Sequence, residues 1–200
     1  LTSSSIIVCE SANKYSGIKY YDISNEKTSL IDKTNLNNKW IFSNDCNDGG
    51  VLFSDYFLAA TSVATLLNEA FVIKNYEEED EYFLVDNILV EKELVKIAAS
   101  PRSLSRNVDE LIIFPYKFGN AGLIKIAIET MDKQYPGIIK HLEKFRDKLE
   151  SRDSDKSSKW FEYGRSQAID NLNQRKLLMS FIVTNRVNVY ELDENTIPYS

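Results

Sequence analysis

Along this chain apolar residues gather in short runs more often than they recur at helical spacing. Residues 5–9 and 18–21 read as two short strands, followed by a polar stretch over 22–39 in which Leu30-Ile31 suggests a short helix, and then by a loop over 44–50. A mixed apolar segment from Ser54 runs through Leu58, Val63, Leu66 and Leu67 into Ala70-Phe71-Val72-Ile73. The aromatic and β-branched content of that last run fits a buried strand with a short helix before it. Residues 82–85 resume an extended pattern after the acidic run 77–81, which repels itself and fits a solvated hairpin tip or loop. Leu111-Ile112-Ile113-Phe114 is a second strong strand signal, and Pro115, which donates no hydrogen bond, ends it close to Tyr116.

Helical spacing emerges later. Leu123, Ile124, Ala127, Ile128 and Met131 share one face, and after the Pro136-Gly137 break so do Ile138, Ile139, Leu142, Phe145 and Leu149. The pattern predicts a pair of amphipathic helices over about 122–150, meeting at a kink. A polar loop over 151–158 follows, and then strands over 177–183 and 187–192 joined at Asn185-Arg186. With no internal repeat and no regular βαβ series, the predicted class is α+β with a mixed sheet.

Composition adds bounds. Two hundred residues, 43% of them hydrophobic and 12% aromatic, suffice for a sizeable core. No apolar run approaches the roughly 20 residues that span a bilayer, and the first residues lack the pattern of a signal peptide, so the expectation is a soluble, cytoplasmic protein with no membrane contact. A start at Leu1, directly before the strand-like Ile6-Ile7-Val8, reads as the interior of a longer polypeptide. Two cysteines, Cys9 and Cys46, are too few for a disulfide framework or a cysteine-based zinc site.

The formal charge of −6 opposes a purely electrostatic nucleic-acid binder, whose affinity comes from Lys and Arg displacing counterions. The charge is uneven, however. Residues 75–93 hold eight carboxylates and one Lys, whereas 151–190 hold seven Lys/Arg and four Asp/Glu. A basic face can coexist with an acidic one.

Several chemistries lack their residues. Gly119-Asn-Ala-Gly122 has no Lys-Ser/Thr pair after it, so no nucleotide-phosphate loop is visible. His141 is the single histidine and reads as a surface or boundary residue on its helix. No Asp or Glu has Lys two positions on, as a common restriction nuclease would, and the four prolines are isolated, so the Asn/Asp-Pro-Pro-aromatic loop of amino-group methylation is missing. No catalytic or metal-binding residue is assigned.

The most informative segment is Lys159-Trp160-Phe161-Glu162-Tyr163-Gly164-Arg165-Ser166-Gln167. Arg can grip phosphate or read guanine through two hydrogen bonds, Gln can pair similarly with adenine, and aromatic rings can stack on bases. Gly164 would let a backbone approach closely. The same residues also fit a structural role, with Trp160 and Tyr163 as core anchors, Gly164 as a turn and Arg165 paired to an acidic neighbour.

This segment resembles the Trp-x-x-x-Gly-Arg-x-Gln signature of the TaqI-like specificity domain of adenine-specific DNA methyltransferases and single-chain restriction-modification enzymes. Three further stretches fall in the order that family shows: Ser62-Val-Ala-Thr65 running into Phe71-Val-Ile73, then Ile112-Ile-Phe-Pro-Tyr-Lys117, then Lys176-Leu-Leu178. The resemblance covers roughly residues 51–189. Residues 2–9 also look like the last strand of such an enzyme's catalytic domain.

What the resemblance implies is a division of labour. Residues 1–24 would end the methyltransferase domain or form a linker strand, and 25–200 would be a target-recognition domain truncated at its C-terminal side. Another domain of the same polypeptide would bind S-adenosylmethionine and methylate a flipped adenine, while this chain, without a cofactor of its own, reads base pairs of double-stranded DNA. Arg165 and Gln167 would contact bases or phosphates. Lys159, Lys176 and Arg186 would contact the backbone, Trp160 and Tyr163 would support or stack, Gly164 would allow close approach, and Lys117 would add a further contact. The competing expectation is a protein-interaction module that docks a partner through the acidic run 77–81 and the helices of 122–150.

Overall fold

The computed structural model describes residues 5–8, 17–22, 27–32, 55–119, 122–180, 182 and 187–200. Cys9, Cys46, the loop expected at 44–50 and Arg186 lie outside these. The chain forms two compact units, Leu1–Leu58 and Ala59–Ser200.

In the first unit β1 (Ser5–Val8), β2 (Gly17–Asp22) and β3 (Lys27–Asp32) form an antiparallel sheet in that order. Ile6 pairs with Tyr21 and Ile18 with Ile31. Leu30 and Ile31 are thus in a strand, not the short helix their spacing suggests. Two adjacent apolar residues carry no period, and the register with β2 decides their conformation.

The second unit is mixed α+β, with several small sheets and short helices. Before its first strand, Asn68–Phe71 forms α1, which runs directly into β4 (Val72–Ile73). The strand expected over residues 70–73 therefore loses Ala70 and Phe71 to the helix. Strand β4 pairs with β9 (Glu110–Ile113), β9 with β8 (Val95–Ala99), and β8 in parallel with β14 (Ile197–Pro198), giving the order β14-β8-β9-β4. All four residues of β9 are buried, as expected of a strand covered on both faces. Outside β14, Val63 bridges Tyr199 in parallel.

A three-stranded meander follows β4: β5 (Glu77–Glu78), β6 (Tyr82–Val85) and β7 (Ile88–Glu91). The acidic run supplies β5, with Glu77 paired to Leu84, and the turn after it at residues 79–81. The second turn, Asp86-Asn87, has φ of 46° and 61°, the left-handed pair that a tight hairpin requires and that Asp and Asn tolerate. Past β8, Ser100 and Ser103 form a reciprocal capping box on α2 (Pro101–Ser105).

The 122–150 region departs from its expected helix pair. Gly122–Lys125 is a strand, β11, paired with β10 (Tyr116–Gly119), so the strand expected to end near Tyr116 is followed at once by a hairpin. Leu123 and Ile124 satisfy a helical face, but Gly122 turns the chain with φ of +115°, where glycine is favoured, and the hairpin wins locally. Helices begin only at α3 (Ile128–Gln134), followed by α4 (Pro136–Glu143) and α5 (Arg146–Glu150).

Pro136 occupies the first position of α4, where a missing N–H costs nothing. The Glu91 carboxylate accepts the next two orphan donors, Gly137 N–H at 2.8 Å and Ile138 N–H at 2.9 Å. A Cβ on Gly137 would lie 1.8 Å from the Leu89 carbonyl oxygen, so this helix start packs directly onto the β7 backbone. Met131, Ile138, Leu142 and Leu149 point into the core. So does His141, at 5% exposure, and its expected surface or boundary position is corrected. Its Nε2–H donates to the Ala70 carbonyl at 3.2 Å.

Near the chain's end β12 (Lys176–Met179) pairs antiparallel with β13 (Val189–Leu192). Both are shorter than the strands expected over 177–183 and 187–192, and their expected joint at Asn185-Arg186 lies outside the described residues. Among the described residues no helix is long and apolar enough to cross a membrane.

Candidate nucleic-acid interface

Residues 151–175 contain no regular helix or strand, yet they are tied tightly to the rest of the second unit. Tyr163 is the centre of the attachment. Its ring is 0% exposed and makes edge-on contacts with Phe71 (5.1 Å) and Tyr116 (5.4 Å). Its hydroxyl donates to the Ile113 carbonyl at 2.7 Å, and its backbone N–H donates to the Tyr116 hydroxyl at 2.7 Å. Burial raises both phenol pKa values above the ordinary range. Tyr163 therefore braces the segment and offers no face for a base, which corrects the stacking role.

Gly164 follows with its N–H on the Thr65 carbonyl (3.2 Å) and its carbonyl accepting from Asp155 N–H (2.8 Å). A Cβ there would fall 2.5 Å from the Leu66 side chain. The close approach that requires glycine is therefore to Leu66, within the chain, and not to a ligand. Leu66 itself has φ of 58°, so both sides of the contact are constrained.

Arg165 continues the pairing through its backbone N–H, which donates to the Ala64 carbonyl at 3.1 Å. Its guanidinium is 31% exposed and held by two carboxylates: one terminal nitrogen lies 3.3 Å from Asp155 Oδ1 and the other 3.0 Å from Asp153 Oδ2. Asp155 is itself fixed by Ser166, whose N–H (2.9 Å) and hydroxyl (3.1 Å) both donate to Oδ2. The Ser166 N–H is the main reason that the Asp155 carboxyl titrates below its usual range, with the Ser166 hydroxyl and Arg165 adding to it. Gln167 is exposed beside this arrangement.

Before the motif, Arg152 plays an internal part. Its guanidinium donates to the carbonyls of Thr65, Trp160 (2.8 Å) and Glu162 (3.0 Å), and its Nε to that of Leu149 (3.0 Å). A single cation thus gathers four backbone acceptors from three stretches of chain. Glu162, 1% exposed, is paired to Lys125 at 2.9 Å. Trp160 is half-buried, with the Arg146 guanidinium 4.0 Å above its ring, and it lines a cleft of about 430 Å³ with Ile128, Leu149, Arg152 and Lys159. Lys159 is exposed and sits over Phe161 at 5.7 Å.

The remaining candidates lie elsewhere. Lys176 donates to the carbonyls of Asp193 (2.5 Å) and Thr196 (3.0 Å), closing the turn before β14, and burial lowers its pKa. Lys117 pairs with Glu93 at 2.7 Å, a hydrogen bond that holds the Lys117 ammonium above its ordinary pKa and the Glu93 carboxyl below its own. The structure thus brings Lys159 to Gln167 together on one segment and leaves Lys117 and Lys176 engaged in separate contacts. Asp153, Asp155 and Arg152 were missed because the polar loop 151–158 reads as solvated; their closeness to Arg165 in sequence is the signal that could have found them.

Among the described residues no group of three or more His, Cys, Asp or Glu is placed to hold a metal ion. No protein-family model and no curated protein matches the chain.

Proposed function

We propose that this chain is a target-recognition module for double-stranded DNA, working beside a methyltransferase domain that binds S-adenosylmethionine. The observation that carries the reading is the convergence of three stretches on which the family resemblance rests. The 62–65 stretch, the 112–117 stretch and the Trp-x-x-x-Gly-Arg-x-Gln segment meet through Arg165 N–H on Ala64, Gly164 N–H on Thr65 and the Tyr163–Tyr116–Ile113 bonds. Residues distant in sequence thereby hold the segment that carries exposed Lys159 and Gln167 and partly exposed Arg165. Arg165 and Gln167 are the base- or phosphate-contacting residues, Lys159 grips the backbone, and Trp160, Tyr163 and Gly164 support them.

Retention of this chain on a randomised duplex pool at low salt, followed by sequencing of the bound fraction, tests the reading. Enrichment of one short motif is the expected result, with Arg165→Ala losing it at a cost of ~1–3 kcal/mol. Unbiased retention, or an unchanged motif in the variant, counts against it.

A second reading draws on the acidic meander. Glu77, Glu78, Glu79, Asp80 and Glu81 are all exposed, and such a surface suits a basic protein partner. The apolar faces of α3, α4 and α5 are turned into the core, which leaves the meander as the surface for such docking. Absence of any duplex binding favours this alternative.

A further inference from the structure

Arg165 is held by two carboxylates that differ in how they are themselves held. Asp155 is anchored, through Ser166 N–H and hydroxyl on Oδ2 and through its own N–H on the Gly164 carbonyl. Asp153 has a side chain 100% exposed, and among the described residues Arg165 is its one hydrogen-bond partner. One carboxylate is therefore a fixture and the other is free to leave. The nitrogen that Asp153 occupies is a guanidinium N–H of the kind that grips a phosphate oxygen or the O6/N7 edge of guanine.

We propose that Asp153 gates Arg165: it occupies one guanidinium nitrogen in the free protein and must be displaced by DNA, while Asp155 stays in place and fixes the orientation of the fork. This inference rests on the DNA-recognition reading above. An ion pair exposed to water is weak, so a full set of correctly placed contacts displaces it easily, whereas an isolated phosphate contact gains little by doing so. The selected complex therefore bears the full cost of breaking the ion pair, and an arbitrary duplex, which can leave the pair in place, bears no more than that.

The test measures, at several salt concentrations, the binding of the full chain to a duplex carrying the enriched motif and to a scrambled duplex, for wild type, Asp153→Asn, Arg165→Ala and the double variant. Asp153→Asn should tighten motif binding about two- to fivefold, the range set by an exposed ion pair, with no larger a change on the scrambled duplex. Discrimination then holds or rises. In the Arg165→Ala background the same substitution should change nothing, because the gate acts through Arg165. If Asp153→Asn tightens binding equally in both backgrounds, the effect is long-range repulsion and the gate is overturned, with DNA recognition intact. Motif enrichment with unchanged affinities in Asp153→Asn also overturns the gate alone. If neither wild type nor Asp153→Asn retains any duplex, the recognition reading fails and the gate fails with it. Asp155→Asn, by contrast, should lower discrimination by weakening the motif complex, the mark of a positioning residue.

Discussion

The hydroxyl of Tyr116 accepts the backbone N–H of Tyr163 at 2.7 Å, and the hydroxyl of Tyr163 donates to the carbonyl of Ile113, three residues before Tyr116. Two buried phenols thus lock the irregular segment to the β9–β10 junction. Tyr116→Phe keeps the packing and leaves the buried Tyr163 N–H without its acceptor. The expected loss is ~1–3 kcal/mol of stability, the cost of an unmade buried hydrogen bond. Urea unfolding at unchanged slope measures it, and a loss below the error of the fit would show that the N–H finds another acceptor.

Gly164 and Leu66 make a second coupled pair. Gly164→Ala puts a methyl group 2.5 Å from the Leu66 side chain and should destabilise the fold by ~1–3 kcal/mol through overpacking. Leu66 has a left-handed backbone and lies at the surface, so Leu66→Gly both clears the space and relieves the backbone. Combined, the two substitutions should be far less costly than their sum. Additive losses would place the strain elsewhere.

At the start of α4 the obstacle is backbone. Gly137→Ala directs its methyl at the Leu89 carbonyl, which is backbone of meander strand β7 and has no rotamer to change. Its cost should exceed that of Gly164→Ala. Glu91→Gln retains an acceptor but loses the charge that meets the helix N-terminus, so it should lose ~0.3–1 kcal/mol, and Glu91→Ala ~0.5–2 kcal/mol. Thermal unfolding of the three variants ranks them; equal effects of Gln and Ala would show that charge alone matters.

Much of this architecture is legible in the sequence where local chemistry decides. Ile112-Ile113 gives a buried strand and the acidic run an exposed hairpin tip, whereas the turn at Asp86-Asn87 and strand β7 are not among the expectations drawn from the pattern. Reading fails where a residue satisfies two periods, as Leu123 and Ile124 do, and where burial depends on distant packing, as for His141. The candidate site follows the same division. The exposure of Lys159 and Gln167 is readable from their polarity. Tyr163 as a core anchor and Arg165 paired to acidic neighbours are also readable as the segment's structural role, and the structure has both. The particular partners of Tyr163, Gly164 and Lys176 are not, because Ile113, Leu66 and Thr196 come from elsewhere in the chain. Asp153 and Asp155 needed the turn at Gly164 to face Arg165.

His141 gives a prediction with a defined sign. Its Nε2–H donates to the Ala70 carbonyl, while Nδ1 is buried with no partner among the described residues, so the neutral ring fits and a second proton has no acceptor there. Desolvation, with Lys144 adding to it, lowers its pKa below the ordinary 6.5 against smaller opposing effects of Ala70 and Asp86. The unfolded chain therefore binds more protons than the folded one between the lowered value and 6.5, and stability rises with pH across that window. The contribution is fully present above pH 6.5 and is lost as pH falls through the folded value. Because His141 is the chain's single histidine, no second histidine titrates in this window. His141→Gln can supply the same donor to Ala70 without titrating. Chemical unfolding at steps from pH 7.5 to about 5 should show a flatter slope in the variant than in wild type. Parallel slopes would mean that His141 is protonated at no cost in the folded state, and that its buried Nδ1 reaches an acceptor after local rearrangement.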